Sequence, residues 1–221
     1  MPTLLIADDH PLFREALRGA VQRLFPDAGL FEADSVEGLY RLADDHPDAD
    51  LVLMDLNMPG AQGFNALVQL RAQHPQLPVV VVSAREEATV MRRALDHGAF
   101  GFIPKSADAN TIGNALRTVL DGEHWAPPQA HSVPPTDSEE RQIAQRLREL
   151  TPQQYRVLQM LGAGRLNKQI AYDLGVSEAT IKAHVTAILR KLGAGNRTQA
   201  VLMAGKLAVD EASIVLPPEE D

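Results

Sequence analysis

Five short runs rich in β-forming residues alternate with stretches of helical periodicity in the first half of this 221-residue chain. Two of the runs, DLVLM at 50–54 and PVVVVS at 78–83, are almost continuously apolar. A strand without polar alternation is covered on both faces, as in a parallel sheet with helices on either side. The alternation therefore predicts a doubly wound α/β domain with a five-stranded parallel sheet. The predicted strands lie at 3–7, about 30–33, 50–54, 79–83 and 100–103.

Polar side chains stand where these predicted strands end. Asp8 and Asp9 follow the first strand, Asp55 follows the third, and Ser83 and Lys105 mark the ends of the last two. The carboxyl ends of parallel strands line the crevice in which doubly wound sheets bind ligands. Carboxylates that share a site repel one another unless a cation is present. Mg²⁺ is usually held by a few carboxylates and keeps positions for water and phosphate oxygens, so the acids predict a Mg²⁺ site.

The two halves of the chain carry opposite charge. Residues 1–135 contain 10 Lys and Arg against 18 Asp and Glu, whereas residues 151–208 contain 8 against 2. Local positive charge on an acidic protein is typical of a surface that binds nucleic acid. The absence of cysteine excludes disulfides, thiolate metal sites and cysteine nucleophiles. Because no apolar run reaches about 20 residues and no signal peptide begins the chain, we expect a cytoplasmic protein without membrane contact.

The composition also changes between these halves. The stretch 124–136 contains four prolines and no periodic apolar pattern, so it is predicted to be a linker after a domain at 1–123. Beyond it we predict a lead-in helix at 137–150, a compact all-α domain at 151–208 and a frayed tail at 209–221.

The predicted all-α domain contains the signals of a helix-turn-helix. Thr151 followed by Pro152 predicts a helix N-terminus, and Gly175 separates two short predicted helices. Ser177 opens the second of these, which runs over about 178–192. The second helix of a helix-turn-helix can lie in the major groove of double-stranded DNA, so it is the predicted recognition helix.

One face of the predicted recognition helix is mostly polar. Lys182, Ala183 and Thr186 fall at positions i, i+1 and i+4, so they share an outward face that can contact base edges. Neighbouring basic and hydroxyl side chains are predicted to bond phosphates, which position a protein on DNA without reading its sequence. These predicted phosphate contacts are Lys168, Thr180, Arg190, Lys191 and Arg197.

Several of these segments together resemble a known family. The set ADDH, LMDLNMPG, VVVVSAR and FGFIPK is similar to a bacterial two-component receiver domain of flavodoxin-like fold. The segments LTPQQYRVLQML and NKQIAYDLGVSEATIKAHVTAIL are similar to a DNA-binding domain of LuxR type. In this order they resemble a response regulator of the NarL/FixJ family over nearly all of the chain. Two positions depart from the usual pattern, since Gln154 stands where Glu is common and Leu166 where Ser or Thr is common.

The resemblance implies a phosphorylation site. Asp55 would accept a phosphoryl group from a sensor histidine kinase, a role for which a carboxylate is a recognised nucleophile. Mg²⁺ would be bound by Asp9, Asp55 and the backbone carbonyl of Asn57, and Asp8 would assist through water. The resemblance therefore assigns the predicted metal site to phosphoryl transfer.

The resemblance also implies how the signal leaves the site. Ser83 and Lys105 would each bond a phosphoryl oxygen, and Phe102 would turn inward as the Ser83 hydroxyl moves toward the phosphate. Pro104 matches a position often held by a cis-proline. The phosphorylated protein would form a homodimer matched to two DNA half-sites and control transcription, a role in which RNA polymerase would be a further partner.

Two other functions remain open at this point. The acids also suit an enzyme, a metal-dependent phosphatase or phosphotransferase with Asp55 as nucleophile. No second acid follows Asp55 at the spacing that such phosphatases use, so we expect no enzyme. The other alternative is a phosphorylation-dependent protein-binding module whose helical domain does not bind DNA. Turnover of phosphate monoesters would identify the enzyme, and indifference to DNA would identify the binding module.

Overall fold

The computed structural model describes residues 1–61 and 63–208. These residues divide into two units, and the boundary between the units falls between Asp137 and Ser138. The tail predicted at 209–221 lies outside the described residues. Among the described helices, none combines the length and the apolar character needed to cross a membrane.

A parallel sheet of five strands forms the centre of the first unit. The strands are β1 (Thr3–Ala7), β2 (Gly29–Ala33), β3 (Leu51–Met54), β4 (Val79–Ser83) and β5 (Gly101–Pro104). Their spatial order is β2-β1-β3-β4-β5, and every neighbouring pair is parallel. Each strand agrees with its predicted position to within one residue, and the doubly wound α/β class is confirmed.

A helix follows each strand along the chain, and these helices are α1 (Pro11–Leu24), α2 (Val36–Asp45), α3 (Asn65–Gln73), α4 (Ala88–Asp96) and α5 (Ala109–Leu120). Leu4 and Ile6 of β1 pack with Leu17 and Val21 of α1 in one apolar cluster, to which α5 also contributes. Leu5, which points to the opposite face of the sheet, is also fully buried. Both faces of the sheet are therefore covered, which explains why its strands show no polar alternation.

The segment 124–136, predicted to be a linker, packs against the first unit instead. The backbone of Trp125 bonds to both neighbours of Gly101 in the edge strand β5. Its N–H donates to the carbonyl of Phe100 (3.0 Å), and its carbonyl accepts from the N–H of Phe102 (3.1 Å). Gly101 permits this approach, since a Cβ there would lie 2.8 Å from the carbonyl oxygen of Trp125.

The rest of the same segment is anchored on α4. A short 3-10 helix, Pro128–His131, packs against α4 and fully buries Ala130. The backbone N–H of Thr136 donates to Asp96 Oδ2 at the end of α4 (2.6 Å). Proline excludes regular helix and strand interiors, but its fixed φ also lowers the entropy lost when a segment becomes ordered. The prolines therefore indicate a lack of long regular elements, and the segment predicted to be a linker is bonded to β5 and α4.

Helices alone build the described part of the second unit, and they are α6 (Ser138–Arg148), α7 (Pro152–Gly162), α8 (Asn167–Leu174), α9 (Glu178–Leu192) and α10 (Arg197–Gly205). The longest, α9, packs against each of the other helices of this unit. Its buried side chains are Ile181, Ile188 and Leu192. The predicted all-α second domain is confirmed, and the predicted recognition helix is its central element.

Capping residues set the ends of these helices as the sequence predicts. Thr151 Oγ1 accepts from the N–H of Gln154 (3.3 Å), and Gln154 Oε1 accepts from the N–H of Thr151 (3.1 Å). Gln154 thus completes a capping box in place of the more common Glu. Ser177 Oγ caps α9 by accepting from the N–H of Thr180 (3.1 Å). Between α8 and α9, Gly175 has a φ of +66°, which glycine adopts without strain.

Candidate functional site

Two acidic residues meet at the carboxyl ends of the central strands. β1 and β3 are neighbours and place Ala7 opposite Met54, so Asp8 and Asp55 leave the sheet side by side. The N–H of Asp55 donates to the carbonyl of Ala7 (2.9 Å). Their exposed fractions are only 1% for Asp8 and 2% for Asp55. Strand order reverses between β1 and β3, which is where open α/β sheets bind ligands.

Lys105 joins these two acids. Its Nζ lies 2.6 Å from Asp8 Oδ2 and 2.7 Å from Asp55 Oδ2. The end of β5 positions this lysine, and its backbone N–H donates to the carbonyl of Ser83 at the end of β4 (2.8 Å). Burial alone would lower the pKa of the Lys105 ammonium, but hydrogen bonds to Asp55 and Asp8 outweigh burial and raise the pKa. The lysine is therefore held in its charged form.

The acidic residues converge as a metal site requires. One ligand atom each of Asp8, Asp9, His10 and Asp55 lies within 4.8 Å of the others. Asp8 Oδ2 lies 2.6 Å from Lys105 Nζ, and Asp9 Oδ1 lies 2.8 Å from His10 Nδ1. The N–H of Asn57 donates to Asp55 Oδ1 (3.2 Å), so the backbone predicted to supply a carbonyl ligand passes beside the pocket. Carboxylate and carbonyl oxygens are the donors that suit Mg²⁺.

The predicted switch residues lie on β4, which is the neighbour of β3, and on β5 at the edge beyond it. Ser83 is fully buried, and its Oγ accepts from the N–H of Arg85 (3.2 Å). Phe102 is fully buried in β5, where it pairs in register with Val81 of β4. The peptide bond before Pro104 is trans, like all others in the described part.

Arg14, which the sequence reasoning missed, holds the backbone of the acidic pocket in place. Its Nη1 donates to the carbonyl of Asp8, and its Nε donates to Glu32 Oε2 (3.1 Å). A cation in the first turn of a helix opposes the helix dipole. Arg14 lies in the first turn of α1, and that turn contains no acidic residue. A cation at this unfavourable position in the sequence indicates that the side chain has a partner outside its own helix.

Most of the predicted DNA-contacting residues are exposed on the second unit, namely Lys168, Thr180, Lys182, Ala183, Thr186 and Arg190. Within α9, Lys182 pairs with Glu178 one turn back (3.2 Å). Thr186 Oγ1 donates to the carbonyl of Lys182 (2.9 Å). These contacts are local and exposed, so a DNA ligand can replace them at low cost. The polar face predicted for this helix is therefore open to a ligand.

Two predicted phosphate contacts have structural partners instead of an open surface. Lys191 Nζ donates to the carbonyl of Glu149 and to Gln154 Oε1, both at 2.7 Å. Arg197 Nη2 donates to the carbonyl of Arg165 (3.0 Å). Both cations are half-buried and connect elements of the second unit. This differs from the sequence-based expectation, because a positive charge in the sequence does not reveal which backbone carbonyl lies within its reach.

Two family models match the chain, one in each unit. Residues 4–117 match the response regulator receiver domain. Residues 148–204 match the bacterial regulatory proteins of the luxR family. Receiver domains generally bind Mg²⁺ at an acidic pocket, and the first unit contains an Asp cluster.

Relatives and solved structures agree with the family models. The chain is 42% identical to the glycerol metabolism activator of Pseudomonas putida over 213 residues, which are 94% of this chain and 96% of that protein. It is 32% identical to the nitrate/nitrite response regulator protein NarL of Escherichia coli (strain K12), over 90% of this chain and 93% of NarL. The structure of RcsB from Salmonella enterica serovar Typhimurium, bound to a promoter in the presence of phosphomimetic BeF3⁻, has the same fold, with a TM-score of 0.55 at 21% identity over 94% and 99% of the two chains. The chain belongs to the NarL/LuxR family of two-component response regulators, transcription factors that join a receiver domain to a LuxR-type DNA-binding domain.

Proposed function

We propose that Asp55 accepts a phosphoryl group from a sensor histidine kinase and that this modification controls DNA reading by α9. The observation that carries the proposal is the position of Asp55, a nearly fully buried carboxylate whose Oδ2 lies 2.7 Å from a lysine ammonium inside an acidic cluster. Buried like charges without a cation are costly. An arrangement of this kind favours a metal ion and a phosphoryl group over a purely structural role.

In the proposed step, an oxygen of the Asp55 carboxylate attacks the phosphorus of a phosphohistidine on the kinase. The new O–P bond forms while the N–P bond breaks, and the histidine nitrogen keeps the electron pair and takes up a proton. Phosphoryl transfer depends mainly on positioning and charge neutralisation. The Asn57 N–H and the Lys105 ammonium each bond one oxygen of Asp55 and thereby fix the plane of the nucleophile.

The cation expected in this pocket is Mg²⁺, held by Asp9, Asp55 and the backbone carbonyl of Asn57, with Asp8 acting through water. When bound, it would neutralise charge on the phosphoryl oxygens and relieve repulsion between the acids. Ser83 and Lys105 supply the remaining contacts, a hydroxyl and an ammonium for two phosphoryl oxygens. Lys105 already contacts Asp55 and Asp8, and Ser83 ends the strand β4 that neighbours β3, which supports both roles.

In the proposed switch, a conformational change in β5 alters DNA binding by the second unit. Phe102 would turn with Ser83 when the phosphate forms, and its strand carries the backbone bonds to Trp125. We further propose that the phosphorylated chain forms a homodimer, because a two-fold pair of recognition helices matches two DNA half-sites. Regulation of transcription in the cytoplasm would bring RNA polymerase into contact with this dimer.

The DNA contacts that we propose are those on the exposed surface of the second unit. Lys182 would donate to guanine, Thr186 would bond several bases, and Ala183 would contact a thymine methyl. Lys168, Thr180 and Arg190 would bond or neutralise phosphates. The basic composition of 151–208 supports this surface.

Labelling of the whole protein with acetyl phosphate and Mg²⁺ tests the first part of the proposal. Intact mass should rise by one phosphoryl group, and Asp55→Asn should abolish the gain. Asp48→Asn is the matched control, since Asp48 is an exposed acid outside the pocket. Removal of Mg²⁺ with a chelator should also stop labelling. Persistent labelling of Asp55→Asn at wild-type level would overturn the assignment.

Genome-wide mapping of binding sites with the wild type and Asp55→Ala tests the second part. Sites that depend on Asp55 would support phosphorylation-controlled DNA binding, and genes of glycerol metabolism are a first group to inspect, given the relative from Pseudomonas putida. Duplex DNA affinity should fall with rising salt, because phosphate contacts release counterions. Indifference to DNA would favour a protein-binding module, and turnover of phosphate monoesters would favour an enzyme.

A further inference from the structure

Lys105 has a third close neighbour besides Asp8 and Asp55. The ring of Phe13 lies beneath its ammonium, with 4.6 Å between Nζ and the ring centroid. A cation within about 6 Å of an aromatic face is attracted by the quadrupole of the ring. The lysine side chain is only 14% exposed, so water screens this attraction less than it would on an open surface.

The ring of Phe13 is fixed by its surroundings rather than by the lysine. Phe13 is the third residue of α1 and packs against the apolar cluster between the sheet, α1 and α5. Its neighbour Arg14 ties the same helical turn to the carbonyl of Asp8 and to Glu32. The ring therefore stays in place when the charges in the pocket change.

Phosphorylation alters two of the three neighbours of Lys105 and leaves the third as it was. The Asp55 carboxylate becomes an acyl phosphate, so the charge that paired with Lys105 moves outward to the phosphoryl oxygens. With Mg²⁺ bound, the acid pair would be neutralised by the metal, and Asp8 would bond Lys105 less strongly. Only the face of Phe13 offers the ammonium the same interaction before and after the transfer.

We propose that Phe13 is a positioning residue for phosphoryl transfer, which acts by holding the Lys105 ammonium at the mouth of the pocket. This inference rests on the proposed phosphorylation of Asp55. A lysine has four rotatable side-chain bonds, and the ring limits the positions that its ammonium samples when the carboxylates no longer bind it. The lysine is then already in place for a phosphoryl oxygen, which lowers the ordering cost of the step.

Phe13→Leu and Phe13→Tyr separate this role from simple packing. Leucine keeps an apolar side chain in the cluster but removes the aromatic face, whereas tyrosine keeps the face. With acetyl phosphate and Mg²⁺, labelling of Asp55 should be about three- to tenfold slower in Phe13→Leu and close to wild type in Phe13→Tyr. Equal rates for wild type and Phe13→Leu would overturn the inference, and so would equal slowing in both variants.

A double-mutant cycle with Lys105→Met supplies a readout that a merely structural role would not change. The measured quantity is the affinity for beryllofluoride with Mg²⁺, a stand-in for the phosphoryl group, in the full-length protein. Phe13→Leu should weaken this affinity when Lys105 is present and have no further effect once Lys105→Met has removed the ammonium. The same weakening in both backgrounds would assign Phe13 to packing alone. If acetyl phosphate did not label Asp55 in the wild type, the proposed function itself would be overturned. That result is distinct from a failure of the role of Phe13 alone.

Discussion

The acidic pocket and the outer face of α9 are both polar surfaces that we propose to bind phosphate groups, yet they are built in opposite ways. In the pocket, the acids Asp8 and Asp55 are at most 2% exposed, and a lysine bonds both. On α9, the side chain of Lys182 is 66% exposed and pairs with Glu178 one turn away. Phosphoryl transfer demands atoms that are in place before the reaction begins. DNA reading can order its side chains when the duplex arrives.

This difference has an energetic consequence for the protein alone. Two buried carboxylates next to each other depend on the cation between them, because removing one partner of a buried pair leaves an uncompensated charge. An exposed ion pair on a helix contributes little, since water and salt replace each partner. The same change of a lysine to a neutral side chain should therefore have very different effects in the two regions.

The largest expected effect is the loss of stability in Lys105→Met. Without Mg²⁺, we expect the free energy of unfolding to fall by about 3 kcal/mol, because Asp8 and Asp55 lose their shared cation. Lys182→Met is the matched control on α9 and should change stability by less than about 0.5 kcal/mol. Urea unfolding with a chelator and then with Mg²⁺ measures both, and the metal should restore part of the loss in Lys105→Met. Similar losses in both variants would break the comparison.

Lys182, whose loss should hardly change stability, should matter when DNA binding is measured. Lys182→Ala should weaken binding to the preferred site by about 1–3 kcal/mol and relax the preference for the contacted base. Lys168→Ala should weaken binding to all sequences alike and reduce the salt dependence by about one counterion. Fluorescence titrations with cognate and scrambled duplexes at several salt concentrations separate these effects. If Lys182→Ala lowered the affinity for cognate and scrambled duplexes alike, Lys182 would be assigned to phosphate contact and not to base contact.

The sequence predicted the pocket more completely than its surroundings, and the reason is geometric. Asp8, Asp55 and Lys105 each follow an apolar strand and Ser83 ends one, and parallel strands bring their carboxyl ends to one edge of the sheet. Their convergence therefore follows from strand periodicity alone. Lys191, in contrast, bonds a carbonyl 42 residues away, and no local pattern marks such a partner.

The segment 124–136 also has partners that no local sequence pattern marks. Its prolines indicate where regular helix and strand cannot form, but contacts between Trp125 and β5 depend on the edge of the completed sheet. Gly101 carried a signal for that contact, since a glycine inside a strand often marks a close backbone approach. The composition of a segment thus describes its own conformation and not the surface on which it packs.

A smaller effect is expected at the start of α8, where the chain departs from its family. Leu166 occupies the N-cap but has no side-chain oxygen, so the helix lacks the acceptor that Ser or Thr would supply. Gln169 already accepts from the N–H of Leu166 (2.9 Å), which is half of a capping box. Leu166→Ser should therefore raise the free energy of unfolding by about 1 kcal/mol, measured by urea denaturation. A decrease would mean that the half-exposed leucine contributes more by packing than a cap would add.

The smallest effect concerns the pH dependence of the clasp between Asp96 and Thr136. Burial alone would raise the pKa of Asp96, but the hydrogen bond from the Thr136 backbone and the pairing with Arg92 (3.0 Å) outweigh it and lower the pKa. A carboxyl whose folded pKa is depressed contributes stability above its unfolded pKa, near 3.8, and loses it as the pH falls through the folded value. For a partly exposed pair we expect at most about 1 kcal/mol.

Asp96→Asn isolates this contribution, because asparagine keeps an acceptor for the Thr136 N–H but cannot titrate. Urea unfolding of both proteins at pH 6 and at about pH 3 should show the wild type losing more stability than the variant between the two values. Hydrogen exchange at the Thr136 amide should remain slow in Asp96→Asn at both pH values, while in the wild type its protection should fall at the lower pH. If the two proteins lose equal stability on acidification, the charge of Asp96 does not hold the segment, and its anchors are the backbone bonds of Trp125 to β5 and the packing of Ala130 and its 3-10 helix against α4.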